Sequence, residues 1–430
     1  MPELIPLVAL LGIDWADQSH ELSLQPVAPP GGDARVERHQ LPHTPEAIGA
    51  WMSELRARFP AGAVGVAIES SRGPLIHALL DYDWVVLYPV NPRSLARFRE
   101  TFTPSGAKDD APDADLLREL LAKHRDRLRP WMPDTEATRG LRRLVESRRH
   151  AVDLRTTFTQ QLTAALKEYF PQALEWAGAD LGSEMACDFL LAWPTLEAVQ
   201  RVRPQRLRSF YTRHHCRRPD RIEARLAAIR EATPLTVDRA VIESGTLVVQ
   251  MLARQLETLG ASIRRFDTEI AARFAAHEDA ALFSVLPGAG AALGPRLLAA
   301  FGSDRTRFPQ ASDLQAFSAI APVRERSGKS WVIHWRWSGP TFVRQTFHEF
   351  AQQSIRYSGW ARGYYALQRS RGKDHHAAVR ALAFKWIRVI WRCWQDRTPY
   401  DEARYLRALA DRRSPLTAHL PSPSTDSLAA

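Results

Sequence analysis

Acidic residues stand at three separated places where they can do chemistry together. Asp14 closes the apolar run "LVALLGIDW", and Glu69 closes "AVGVAIES". The stretch "GAKDDAPDADLLREL" places Asp109, Asp110 and Asp113 just ahead of Leu116, Leu117, Leu120 and Leu121, which recur at helical spacing. Taken alone, acids at a helix start complement the macrodipole, and Pro112 suits a first turn. Asp109 is read that way. Asp14, Glu69, Asp110 and Asp113 brought to one place would repel one another unless a cation neutralised them. All-oxygen donors suit Mg²⁺ or Mn²⁺, and paired metals roughly 4 Å apart are a recurring engine of phosphodiester cleavage.

Three strands, "LVALLGIDW", "HELSLQPV" and "ARVERHQL", are followed by "TPEAIGAWMSELRARF", which begins with Thr44 as N-cap and Pro45 at the first helical position. "AVGVAIES" and "WVVLYPV" read as buried strands with the short helix "GPLIHALLDY" between them. A helix from Pro92 and the Asp-led helix complete the order β-β-β-α-β-α-β-α. A meander feeding right-handed parallel crossovers is the plan of ribonuclease-H-like domains. There the first and fourth strands are parallel neighbours, and ligands gather outside the strands' carboxyl ends. The last helix can lay its N-terminus over the same edge, so the four carboxylates are expected to converge.

From Glu136 the pattern turns helical and basic. Leu141, Leu144, Phe158, Leu162 and Tyr169 fit near-heptad positions, and Leu252, Leu256, Leu259, Ile263, Phe266 and Ile270 alternate steps of four and three. Both readings, a coiled-coil seam and an ordinary buried helix pair, fit this spacing. Residues 201 to 230 hold ten arginines among Phe210, Tyr211, His214 and His215, a density that favours a nucleic-acid surface. In "LPGAGAALGPRLLAAFG" a Gly-x-Gly turn through Gly288 and Gly290 enters an apolar helix, as in a helix-hairpin-helix, where exposed N–H groups hold a DNA phosphate. "RERSGKSW" is read as a basic loop; its "GKS" is no P-loop, because Val323 stands where the first glycine is required.

The expected division is 1–130 (metal-dependent catalytic domain), 131–278 (helical, Arg-rich), 279–412 (helical C-terminal domain) and 413–430 (disordered tail). The fold class is α/β plus all-α. With 58 Lys+Arg against 48 Asp+Glu the net charge is +10, which points to a polyanionic partner. Three scattered cysteines, Cys187, Cys216 and Cys393, exclude a disulfide framework and fit a reducing cytoplasm. The longest apolar run, "LIPLVALLGI", is too short to span a membrane.

The chain resembles the DEDD transposases of the insertion-sequence "one-ten" family and the related Piv-type DNA invertases. The resemblance rests on "GIDWADQSHEL", "VAIESSRG", "GAKDDAPDADLL", "LPGAGAALGPRLLAAFG", Arg307-Phe308, "AFSAIAPVRERSGKS" and "RGKDHHAAVRALAFKWI". It implies a RuvC-like metal domain and a C-terminal transposase domain with a nucleophilic serine. By position that serine is Ser327, with Ser330 as the fallback, flanked by Arg324, Arg326 and Lys329 as candidate phosphate contacts. It further implies donor and target DNA, a structured bridge RNA, a homo-oligomer (dimer or tetramer), and a prokaryotic, nucleoid-associated cytoplasmic setting. The function expected is DNA strand cleavage and rejoining through a phosphoserine. Two rivals are a RuvC-like junction endonuclease using water and a noncatalytic nucleic-acid-binding protein.

Overall fold

A computed structural model describes residues 6–27, 35–69, 73–102, 110–328, 330–336 and 339–420, and of residues 102 and 110–112 only the backbone. The chain forms two compact units, Met1–Pro133 and Asp134–Ala430.

The first unit has the element order read from the sequence. β1 (Leu7–Asp14), β2 (Ser19–Pro26) and β3 (Glu37–Pro42) form the meander; α1 (Pro45–Arg58), β4 (Ala63–Glu69), α2 (Pro74–Leu79), β5 (Val85–Val90), α3 (Pro92–Phe102) and α4 (Asp110–His124) follow. The sheet order is β3-β2-β1-β4-β5, with β4 parallel to both β1 and β5. Thr44 caps α1 by accepting from the Ala47 N–H at 3.2 Å.

Alternation along the strands separates two faces. Ala9, Leu11 and Ile13 of β1 and Val64, Val66 and Ile68 of β4 pack with Ile48, Met52 and Leu55 of α1 and Leu75, Ile76 and Leu79 of α2. Ala67, Val86, Tyr88 and Val90 pack on the opposite face with Leu95 of α3 and Leu117 and Leu121 of α4. Gly12 lies on that second face, and a Cβ built there would stand 2.0 Å from the Ala114 carbonyl oxygen and 2.6 Å from the Arg118 nitrogen. α4 therefore rests its backbone directly on β1. Polar links fix its rotation. Ser23 Oγ donates to Asp115 Oδ1 at 2.6 Å, and Arg118 donates to Ser23 Oγ at 2.9 Å and to Gln25 Oε1 at 2.5 Å.

In the second unit α5 (Glu136–Tyr169) and α6 (Arg239–Ala275) pack against each other. Leu162 and Leu166 share a core with Val249, Leu252 and Leu256, whereas Leu141 and Val145 share another with Ile270. The two helices thus pair antiparallel within the chain, with Leu259, Ile263 and Phe266 only half-buried midway. Between α5 and α6 short helices build the first core, in which Phe210 and Tyr211 are buried. This corrects the expectation that these aromatics interleave an exposed basic surface. Tyr211 instead carries the Arg225 guanidinium over its ring, and Arg208 pairs with Glu223.

The other core holds α7 (Gly290–Phe301), α8 (Thr341–Tyr357) and α9 (His375–Gln395), around buried Trp360, Trp386 and Trp394. Two further differences appear here. The basic loop is a two-stranded ribbon, β6 (Val323–Ser327) and β7 (Ser330–His334). The tail expected to be disordered from 413 holds a 3-10 turn, Pro415–His419, with Leu416 buried; residues 421–430 lie outside the described residues.

Two glycines test the close approach. Gly12→Ala should lower stability by about 1–3 kcal/mol or more, because the obstacle is helix backbone that cannot step aside. Gly49→Ala, inside α1 with open space around it, should raise stability by about 0.5–1 kcal/mol. Urea midpoints of the full chain check both signs.

Candidate active site

Asp14 and Glu69 end neighbouring parallel strands. Ile13 pairs with Ile68, so the two acids follow one register step later, about 4.8 Å apart at the backbone. Both share the side of the sheet on which Gly12 and Ala67 lie, the face that α4 covers. Asp113, one residue before the Ala114 carbonyl that touches Gly12, is buried. The Gly12 contact thus brings the first turn of α4 to the edge that carries Asp14 and Glu69. Asp110 opens that turn; its side chain, like all of Asp109, lies outside the described residues.

Asp113 is held by a guanidinium. Arg99 Nε of α3 donates to Asp113 Oδ1 at 2.7 Å, and its Nη2 donates to Oδ2, a bidentate pair with the carboxylate 3 % exposed. Burial leaves this charge little solvent, so a cation must accompany it. Nothing in the sequence signals Arg99, since its partner lies on a different helix. Glu21 likewise carries no signal in the sequence. It faces Asp14 directly across β2 and accepts from Gln40 Nε2 at 2.7 Å.

In the second unit Ser327 ends β6 and is exposed at the tip of the ribbon, followed by Gly328 at φ +58°. Ser330 Oγ donates to the Ser327 carbonyl at 3.0 Å, and Arg326 Nε donates to the Gly328 carbonyl at 3.1 Å. Arg324 lies over the Trp331 ring, 5.2 Å from its centre. Lys329 lies outside the described residues. At the foot, His334 Nε2 stands 2.9 Å from Glu325 Oε1. The Trp335 carbonyl, and then Glu325, raise the His334 pKa above its ordinary 6.5. The charged pair is therefore complete below 6.5 and fades as pH rises through the raised value. Gly288 and Gly290 adopt φ of +82° and +52° on entering α7, the backbone that a Gly-x-Gly turn requires.

Residues 11–171 match a family model described as the DEDD transposase of IS110, and residues 280–366 match one described as the transposase IS116/IS110/IS902 family. The chain belongs to the IS110 family of transposases. A Streptomyces coelicolor protein named as the mini-circle transposase for IS117 is 27% identical over 406 residues, 93% of this chain and 96% of the relative. The 43.6 kDa protein of insertion element IS110 from the same species is 25% identical over 377 residues, 86% and 91% of the two chains. The 44.8 kDa protein of IS116 from Streptomyces clavuligerus is 27% identical over 330 residues, 76% and 81%. The first family match contains Asp14, Glu69, Asp110 and Asp113; the second contains the Gly-x-Gly turn and Ser327.

Arg307 has a structural role in the second unit. Asp134, buried at the start of the second unit, accepts from Arg307 Nη1 at 3.0 Å, Arg142 Nη2 at 2.9 Å and the Ser303 N–H at 3.0 Å. The Arg307-Phe308 pair thereby ties the end of α7 to the start of α5.

DEDD transposases generally use divalent metal ions. The donor chemistry fits such an ion: Asp14 and Glu69 offer oxygen from one face, and the buried Asp113 carboxylate already holds a cationic partner. Among the described residues no three acidic, His or Cys side chains are grouped closely enough to hold a metal, and Asp113 is paired with Arg99. Arg99→Gln should cost about 3–5 kcal/mol without divalent cations, because it strands a buried carboxylate. Mg²⁺ should restore more of the melting temperature in this variant than in the unaltered chain. Equal losses in Mg²⁺ and in EDTA would make Arg99 a packing residue only.

Proposed function

We propose that this transposase is a ribonuclease-H-like (RuvC-like) DNA recombinase that cuts and rejoins strands through a phosphoserine at Ser327. The observation carrying the reading is the shared face of Asp14 and Glu69 beneath the first turn of α4, which supplies Asp110 and Asp113. Mg²⁺ or Mn²⁺ held there would polarise the scissile phosphate and stabilise its developing charge. Ser327 is exposed at the tip of the ribbon, where its Oγ would reach a phosphodiester. Its attack forms the serine–phosphorus bond and breaks the bond to the 3′ oxygen, which leaves as a hydroxyl after taking a proton. A 3′-hydroxyl attacking the phosphoserine reverses the step, so rejoining needs no nucleotide triphosphate. Arg324, Arg326 and Lys329 flank the serine as phosphate contacts, and the Gly288–Gly290 turn offers backbone N–H groups to the duplex. A bridge RNA as guide belongs to this proposal through the family resemblance.

Replacing Asp14, Glu69, Asp110 or Asp113 with Ala should abolish recombination while leaving most nucleic-acid binding, which is spread over many basic contacts. Ser327→Ala should remove the covalent protein–DNA species that a nicked suicide substrate traps, and Ser330→Ala should retain it. An adduct mapped to Ser330 would move the nucleophile. Hydrolysis surviving in Ser327→Ala would favour the water-using nuclease.

Strand exchange needs several cuts held in one complex, and the half-buried Leu259, Ile263 and Phe266 leave part of the long helix pair free for a second copy. The proposal therefore includes composite sites, with carboxylates of one subunit serving the serine of another. Mixed Asp14→Ala and Ser327→Ala proteins, each inactive alone, should regain cleavage. A mixture that exchanges subunits yet never cleaves rules composite sites out.

A further inference from the structure

The facing sides of α8 and α9 carry two arginines and two histidines that no step above uses. Arg344 and His348 lie one turn apart on α8, and His376 and Arg380 lie one turn apart on α9. The His348 and His376 rings are 5.7 Å apart between centres, and Arg344 is close enough to Arg380 to lower its pKa. All but His376 are half-buried. Burial depresses the His348 pKa, and His376, Arg380 and His375 depress it further. The two guanidiniums repel one another unless an anion joins them.

The chain's own candidate for that anion is occupied. Asp374 is the carboxylate felt by Arg380, but it caps α9 by accepting from the Ala377 N–H at 2.7 Å. Among the described residues neither Arg344 nor Arg380 pairs with a carboxylate, and the buried Nε atoms of Arg380 and Arg336 have no hydrogen-bond partner. Arg380 is nonetheless fixed in place, stacked on Trp335 with its guanidinium carbon 3.0 Å from the ring centre. Trp335 directly follows β7, so the charge cluster lies at the foot of the ribbon whose tip is Ser327. A half-buried guanidinium packed on an aromatic ring and without a carboxylate partner suits an oxyanion, which can approach its outer N–H groups.

We propose that Arg344, His348, His376 and Arg380 form a binding site for a backbone phosphate of DNA at the foot of the Ser327 ribbon. The proposal deepens the recombinase reading by naming where the duplex is gripped apart from the cut. Five residues of extended chain separate foot from tip, about 17 Å at ~3.3 Å per residue. That is about five base-pair rises of 3.4 Å, so the gripped phosphate and the cut one lie on the same stretch of duplex.

The test uses the full chain and measures how its affinity for random-sequence duplex DNA falls with salt. Each lost phosphate contact reduces the log–log slope by about 0.9. Arg344→Gln and Arg380→Gln should each lose about that much. Arg392→Gln, exposed further along α9 and paired with Asp396, should lose none. Arg344→Gln guards against misfolding, since the Trp335 stack remains. An unchanged slope in Arg344→Gln overturns the proposal, as does an equal loss in Arg392→Gln. A loss on RNA of the same sequence that equals or exceeds the loss on DNA overturns the assignment to DNA. None of these measurements requires cleavage, so a failed serine assignment and a failed phosphate site are told apart.

Discussion

The contact between Gly12 and the backbone of α4 is the constraint on which the rest of the first unit depends. A side chain on β1 at this point would hold the helix away from the sheet; hydrogen lets the Ala114 carbonyl come down onto the strand. Everything α4 contributes follows from that depth. Leu117 and Leu121 reach the second core, Asp115 and Arg118 find Ser23 and Gln25, and Asp113 is carried below the surface beside the strand ends. A carboxylate so placed cannot rely on water, which is why a guanidinium or a metal ion must be its companion. Backbone packing thus dictates the electrostatics of the site.

The same logic runs through the second unit. Its many arginines are not uniformly free surface charge. Arg142 and Arg307 converge on buried Asp134, Arg305 pairs with buried Asp279, and Arg296 and Arg149 share Glu349. Removing one partner from such a pair strands a charge, so these arginines hold helix ends together. Net charge counts them equally with Arg344 and Arg380, which have no acidic partner among the described residues. A total of +10 therefore says little about where a polyanion binds.

What the sequence discloses follows the physics of each element. The strands of the first unit have one or two buried faces and announce themselves by alternation; α1 announces its start through Thr44 and Pro45. Asp14 and Glu69 were legible because strand ends can be counted. Arg99 and Glu21 were not, since their partners are set by tertiary contact. The ribbon was missed because it buries neither face: Trp331, Val332 and Ile333 are consecutive and all more than half exposed. Phe210 and Tyr211 misled for the opposite reason, being core residues set among surface arginines. The heptad spacing of α5 and α6 was real, but spacing alone cannot say whether the partner helix belongs to the same chain.

A two-stranded ribbon without a core is marginal by itself. Here the strands are pinned by the Glu325–His334 pair near the foot and by Ser330 and Arg326 at the tip, with Trp335 anchored under Arg380. Its middle stays bare, exposing an apolar strand beside Arg324 and Arg326. Such a ribbon has the width of a DNA major groove. A surface both apolar and cationic suits base edges and methyl groups flanked by phosphates. On the proposed reading, Ser327 would sit on an element held at its foot and completed along its length by DNA, which would order the serine for attack where the duplex is engaged.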